Sequence, residues 1–219
     1  MATQVQICNL ALGRVGKTIP IASMTEPSAE AALLSQLWDI GRQFVLRECR
    51  WPFATRRAFL TLTSQVADNW AYVYAFPTDC LYMGEVVVPG SVLASPFSSS
   101  INIPGYLFNP AAPNNAQRIP FQVAYDPVGG TRVLYCNINP CEVSYITDVA
   151  DPQQFDPLFA SALAFWLASE LALSLVNNPQ MGEKMRNAYY GEASSAVARA
   201  LSEGTEYQEP DSQFVAVRQ

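Results

Sequence analysis

The sequence predicts an α+β protein, and three observations lead there. Helical periodicity governs both ends of the chain, looser strand-like alternation governs the middle, and proline or glycine punctuates most junctions. The N- and C-terminal helices, residues 1–55 and 153–203, are expected to form one helical bundle. A small antiparallel β-sheet would be inserted over residues 56–152, and residues 204–219 would form a C-terminal arm or tail.

The first helix is expected over Gln4 to Val15. Thr3 and Gln6 have the spacing of a capping box, in which each side chain satisfies the other residue's free backbone donor. Val5, Cys8, Leu12 and Val15 share a face, and Gly16 suits the end. A second helix runs to about Cys49, with Thr25 as its expected cap and Pro27 in its first turn. It carries two adjoining apolar stripes, Leu33, Leu37, Ile40, Phe44 and Leu34, Trp38, Gly41, Val45, which imply contact on two sides. Trp51-Pro52 stops it.

Strand signals follow. Ala58 to Thr63 alternates loosely, Trp70 to Phe76 is aromatic-rich, and Leu81 to Val88 ends at Pro89-Gly90. Ser91 to Pro120 is a long Pro-rich loop, a length that is usually functional or disordered. Phe121 to Tyr125 and Arg132 to Cys136 flank Asp126-Pro127-Val128-Gly129-Gly130, a hairpin signal, and Glu142 to Thr147 gives one more strand. Asp156-Pro157 and Asn178-Pro179 repeat one device, a capping side chain before a first-turn proline, and start helices reaching Val176 and Ser202.

Composition excludes whole classes of chemistry. The 219 residues include no histidine, which removes every Ser-His, Cys-His and His-metal mechanism. Five scattered cysteines without a Cys-x-x-Cys pair argue for reduced, partly buried thiols in a cytosol-made protein rather than zinc or disulfides. The N-terminus lacks the charged n-region of a secretory signal. Leu158 to Val176 is apolar enough to span a membrane, but Glu170 and its many alanines favour a buried helix shared with a neighbouring subunit. No membrane partner is expected.

Charge is uneven. The net charge is −6, yet residues 1–60 hold seven basic and four acidic residues, a net +3, leaving −9 for the remainder. Most of the surface should therefore repel phosphate.

Three motifs invite a chemical reading. Ala11-Leu12-Gly13-Arg14-Val15-Gly16-Lys17-Thr18 fits a relaxed phosphate loop, but a helix precedes it and Ile19-Pro20 follows where a helix should open. Asp148, Asp151 and Asp156 cluster as paired carboxylates would, but read better as a helix cap and solvated turn residues. Arg47, Arg50, Arg56 and Arg57 surround Trp51-Pro52-Phe53, a mixture found at interface anchors and nucleic-acid platforms, and equally at a solvated helix end with a buried Trp. These arginines, with Trp51, are expected at a subunit interface, pairing acidic groups of the acidic remainder, and Glu206, Glu209 and Asp211 of the arm are expected at an interface as well. No catalytic, cofactor or metal-binding residue is expected.

The order of these motifs resembles the tail tubular protein A family, the head-to-tail adaptors of tailed bacteriophages. The resemblance rests on Arg14-Val15-Gly16, Ala29-Glu30-Ala31-Ala32 and Arg47-Glu48-Cys49-Arg50-Trp51-Pro52-Phe53-Ala54. It continues through Phe76-Pro77-Thr78-Asp79-Cys80-Leu81 and the Asp-Pro-entered Ala-rich helix, and covers roughly residues 3–203. It implies a virion protein, assembled in the host cytoplasm, that forms a cyclic homo-oligomer, commonly of twelve copies. The ring would join the portal protein to the tail or nozzle protein and let DNA pass without specific binding. It implies neither catalysis nor a cofactor. The alternatives are an enzyme, either a nucleotide hydrolase using Lys17 and Thr18 or a carboxylate hydrolase, and a monomeric cytosolic assembly factor.

Overall fold

The computed structural model describes residues 2–63, 69–87, 119–126 and 129–202. Residues 88–118, which include most of the expected Pro-rich loop, and the expected arm over 204–219 lie outside the described residues.

Helix α1 (Gln4–Arg14) carries the reciprocal cap. Thr3 N donates to Gln6 Oε1 at 2.8 Å, and Gln6 N donates to Thr3 Oγ1 at 3.3 Å. Gly16 closes the helix at φ 82°, and Lys17 N donates back to Leu12 O at 3.0 Å. Helix α2 (Ala29–Glu48) starts later than expected: Ser28, not Thr25, is its cap, with Ser28 Oγ accepting from Ala31 N at 3.2 Å. The reason is local. Thr25 is held in a preceding turn, where its N–H donates to Ser23 Oγ at 3.3 Å, so Pro27 precedes the cap instead of entering the first turn.

Of the two stripes on α2, Leu34, Trp38, Gly41 and Val45 are buried. Leu33 and Leu37 are half-buried, while Ile40 and Phe44 are 62% and 44% exposed.

Helices α3 (Pro157–Ser174) and α4 (Pro179–Ser202) complete the helical part. Asp156 Oδ1 accepts from Leu158 N at 2.7 Å, and Asn178 Oδ1 accepts from Met181 N at 3.1 Å. Each side chain satisfies a first-turn donor that the helix itself leaves open. Helix α3 is the one helix among the described residues that is long and apolar enough to cross a membrane, and 56% of it is buried inside this chain. The other three helices all pack on it. A helix covered from several sides is apolar on each of them, so burial within this chain accounts for the residues facing the other three helices, while Leu173 stays 60% exposed.

The middle of the chain forms two three-stranded antiparallel sheets. One has the order β1 (Thr55–Phe59), β6 (Glu142–Thr147), β3 (Cys80–Val87). The other has the order β2 (Tyr72–Ala75), β5 (Thr131–Cys136), β4 (Phe121–Asp126). Strand β1 begins earlier than the loose alternation implied, because Thr55 to Phe59 pair with Ile146 to Glu142. The chain then passes to the other sheet: Leu60 N donates to Cys141 O at 2.9 Å, whereas Thr63 N donates to Val73 O at 2.8 Å. The β4–β5 hairpin closes on Asp126, whose Oδ2 accepts from Gly129 N at 2.7 Å.

Two hydrophobic clusters result. The helices share one, centred on Phe159, Leu163 and Leu167. Both sheets contribute to the second, with Tyr74, Leu134 and Cys136 from one and Met83, Val143 and Tyr145 from the other.

Candidate assembly interface

The Arg-rich turn lies where the helical part meets the first sheet. Trp51 is buried there. Its Nε1 donates to Val45 O at 2.9 Å, and its ring stands edge-on to Phe159 at 5.1 Å. Phe53 and Phe155 both pack edge-on against Phe159, at 5.2 and 4.7 Å, so the aromatic part of the motif anchors this chain's own core.

The arginines diverge from that anchor. Arg47, in the last turn of α2, is exposed and has no ion pair among the described residues. Arg50 is folded inward, with Nη1 3.6 Å from Glu85 Oε1 on β3. Arg56 and Arg57 project from β1 and stay half-exposed, with Asp79 at 3.3 Å and Glu142 at 3.7 Å. Three of the four arginines therefore reach from the basic N-terminal segment to acids of the acidic remainder, and they do so within one chain. Glu206, Glu209 and Asp211 lie outside the described residues.

Asp79 is a shared acceptor. Besides Arg56 it receives Thr147 Oγ1 at 2.7 Å and Tyr145 Oη at 3.2 Å. Burial, and then the nearby Asp79 carboxylate, push the Tyr145 phenol above its ordinary pKa.

Sequence reasoning passed over Arg42, which holds this junction together. It is 3% exposed and donates through Nη1 to the Asp148 carboxylate and, at 2.8 Å, to Val149 O. Its Nε is buried without a hydrogen-bond partner among the described residues. Asp148 also accepts from Gln43 Nε2 at 2.9 Å, and its N–H donates to Asp79 O at 2.8 Å. The available signal was position: Arg42 falls between Trp38 and Val45 on the core-facing side of α2, where a charge needs a partner.

The other candidate groups serve local structure. Gly16 ends a helix where a phosphate loop would open one, and Lys17 Nζ lies 3.0 Å from Glu30 Oε1. The hydrogen bond from Lys17 holds the Glu30 carboxyl below its usual pKa. Asp151 Oδ1 accepts from Gln153 N at 2.9 Å, and Asp156 caps α3. Arg14 lies over the Phe165 ring at 3.4 Å and donates to Ser161 O at 2.8 Å, tying α1 to α3. All five cysteines are buried free thiols, and burial pushes Cys8, Cys49 and Cys141 up to about 12.

Apart from Arg47, the described groups that sequence motifs single out are engaged in caps, turns, core packing and ion pairs within an α+β scaffold. No family model and no curated protein matches the chain.

Proposed function

We propose that this chain is a structural virion protein, a head-to-tail adaptor that assembles into a ring between portal and tail and encloses the DNA channel. The observation that carries this reading is the order of features along one chain. A short helix ends in Arg14-Val15-Gly16, a long helix ends in the Arg-Trp-Pro-Phe turn, a β-rich insertion follows, and an Asp-Pro-capped Ala-rich helix closes the series. That order resembles the tail tubular protein A family.

Physical chemistry supports the reading in two ways. A conduit must let DNA slide, and a surface that is mostly acidic repels phosphate instead of gripping it. A ring also needs exposed side chains that a neighbour can meet. Arg56 and Arg57 on β1 are such side chains, half-exposed, and Phe59 on the same strand is 62% exposed.

Negative-stain microscopy of the purified chain, alone and mixed with portal protein, tests it. Rings of uniform diameter with a central opening are expected. A chain that stays monomeric and binds no portal overturns the proposal.

A further inference from the structure

The exposed side of α2 carries more apolar surface than a helix facing only water needs. Leu33, Leu37, Ile40, Phe44 and Arg47 follow one another at alternating spacings of four and three residues, the spacing of a helix–helix seam. Phe44 leans on Trp166 of α3, with ring centroids 5.6 Å apart. Trp166 reaches that position because residue 41 is glycine: a Cβ there would stand 2.5 Å from its Cζ3. The pair forms a ledge whose outer side stays open, with Ile40 beside Phe44 one turn earlier on α2. Clustered apolar exposure of this kind marks an interaction surface.

The charges along the seam select the occupant. Arg47, exposed and without an ion pair among the described residues, lies four residues beyond Gln43. Asp39 lies four residues before Gln43, and its side chain is 76% exposed. Its Oδ1 accepts from Arg42 Nη2 at 3.4 Å, while Arg42 Nη1 holds Asp148, so Asp39 stays mostly exposed with one long contact to its own chain. The same helix thus presents a cation and an anion equidistant from one central residue. An antiparallel copy of α2, related by a two-fold axis near Gln43, sets each Arg47 beside Ile40 and Asp39 of the other chain. The Arg47 stem then covers Ile40 and its guanidinium meets the Asp39 carboxylate. A parallel pairing would set Arg47 against Arg47.

We infer that two copies of this chain associate through this side of α2, antiparallel and two-fold symmetric, with Phe44 near the axis and Arg47 crossing to Asp39. The contact is isologous and closes at two copies, unlike the head-to-tail contact a ring requires. It therefore goes beyond the ring reading and does not depend on it. A single helix seam is a small interface, so association is expected to be weak and concentration-dependent.

Sedimentation equilibrium of the full chain from about 5 to about 300 micromolar reads it directly. The wild type is expected to show a monomer–dimer equilibrium. Phe44→Glu and Ile40→Glu should each weaken it by about tenfold or more, and Arg47→Glu should weaken it too. The charge swap Asp39→Lys with Arg47→Glu should restore it. Both apolar variants sit at exposed positions, so if one fails to fold by circular dichroism the other carries the test. A wild type that is monomeric throughout overturns the inference, as does a dimer indifferent to these variants. Rings that persist in all variants, with no dimer in the wild type, overturn it while leaving the ring reading standing. Association weakened by Phe44→Glu and by Arg47→Glu, but not recovered when Asp39→Lys is added to Arg47→Glu, points to a head-to-tail contact and also overturns it.

Discussion

The buried guanidinium of Arg42 and the carboxylate of Asp148 join the middle of α2 to the link between β6 and α3. Around this pair the helical core and the first sheet are held in one orientation, because Asp148 N also donates to Asp79 O beside β3.

Replacing Arg42 by alanine should leave Asp148 and Val149 O partly buried without their donor. Breaking a buried pair by removing one partner costs about 3 kcal/mol or more, discounted here because the Asp148 side chain is 29% exposed. A fall of several degrees in melting temperature is expected. Arg42→Met, which fills the same space, should be no less damaging while Asp148 is kept, and Arg42→Met with Asp148→Asn should recover part of the loss. Thermal unfolding of the three variants checks this.

Alkaline pH should unfold the chain. Burial pushes Cys8, Cys49 and Cys141 from 9.0 to about 12 and Tyr74 from 10.0 to about 12. A raised folded value means that ionisation is easier in the unfolded chain. Stability is then complete below about pH 9 and is lost as pH rises toward about 12, by up to ~1.4 kcal/mol per pH unit per group. Urea denaturation at pH 8, 10 and 11 should show a falling midpoint. A midpoint unchanged through pH 11 would contradict it.

Gly84→Val should disturb the first sheet. Residue 84 sits at a register shift between Met83 and Glu85, and a Cβ there would stand 2.8 Å from Ser144 O and press on the Arg50 guanidinium. A loss of about 2 kcal/mol or more is expected, since backbone cannot yield as a flexible side chain can. Chemical denaturation and the amide exchange of β6 report it.

Reversing charge at both Arg56 and Arg57 separates two roles. Their ion pairs with Asp79 and Glu142 are half-exposed, so stability should fall by only about 1 kcal/mol. If the same side chains also face a neighbouring subunit, assembly should weaken far more than folding. Light scattering beside a melting curve distinguishes the two effects, and unchanged particle size removes these arginines from the interface.

Much of the fold was legible because its punctuation is local. The Thr3–Gln6 box, Asp156 before Pro157 and Asn178 before Pro179 fix helix starts using only neighbouring residues. Glu142–Thr147 was equally plain, since its branched and aromatic residues suit a central strand. What escaped depends on distant partners. Periodicity cannot say that Thr55 pairs with Ile146, or that the strands divide into two sheets. Three serine and threonine residues compete for the start of α2, and their turn hydrogen bonds decide the matter. In the candidate site, the charge asymmetry pointed to arginine–acid pairing across subunits, whereas Arg50, Arg56 and Arg57 pair acids of their own chain and Arg47 pairs none among the described residues. It could not tell acids of the same chain from acids of another, and it gave no hint that Arg42 would be the one enclosed.

The passage of the chain from one sheet to the other at Leu60 has a mechanical consequence. Residues 55–63 act as a common beam, bonded to β6 on one side of Leu60 and to β2 beyond it. A load applied to the second sheet is carried through backbone hydrogen bonds into the first, and from there through Asp79 and Asp148 into α2. Tension on the second sheet thus has a hydrogen-bonded path to the helices that does not rely on the softer packing between the two sheets.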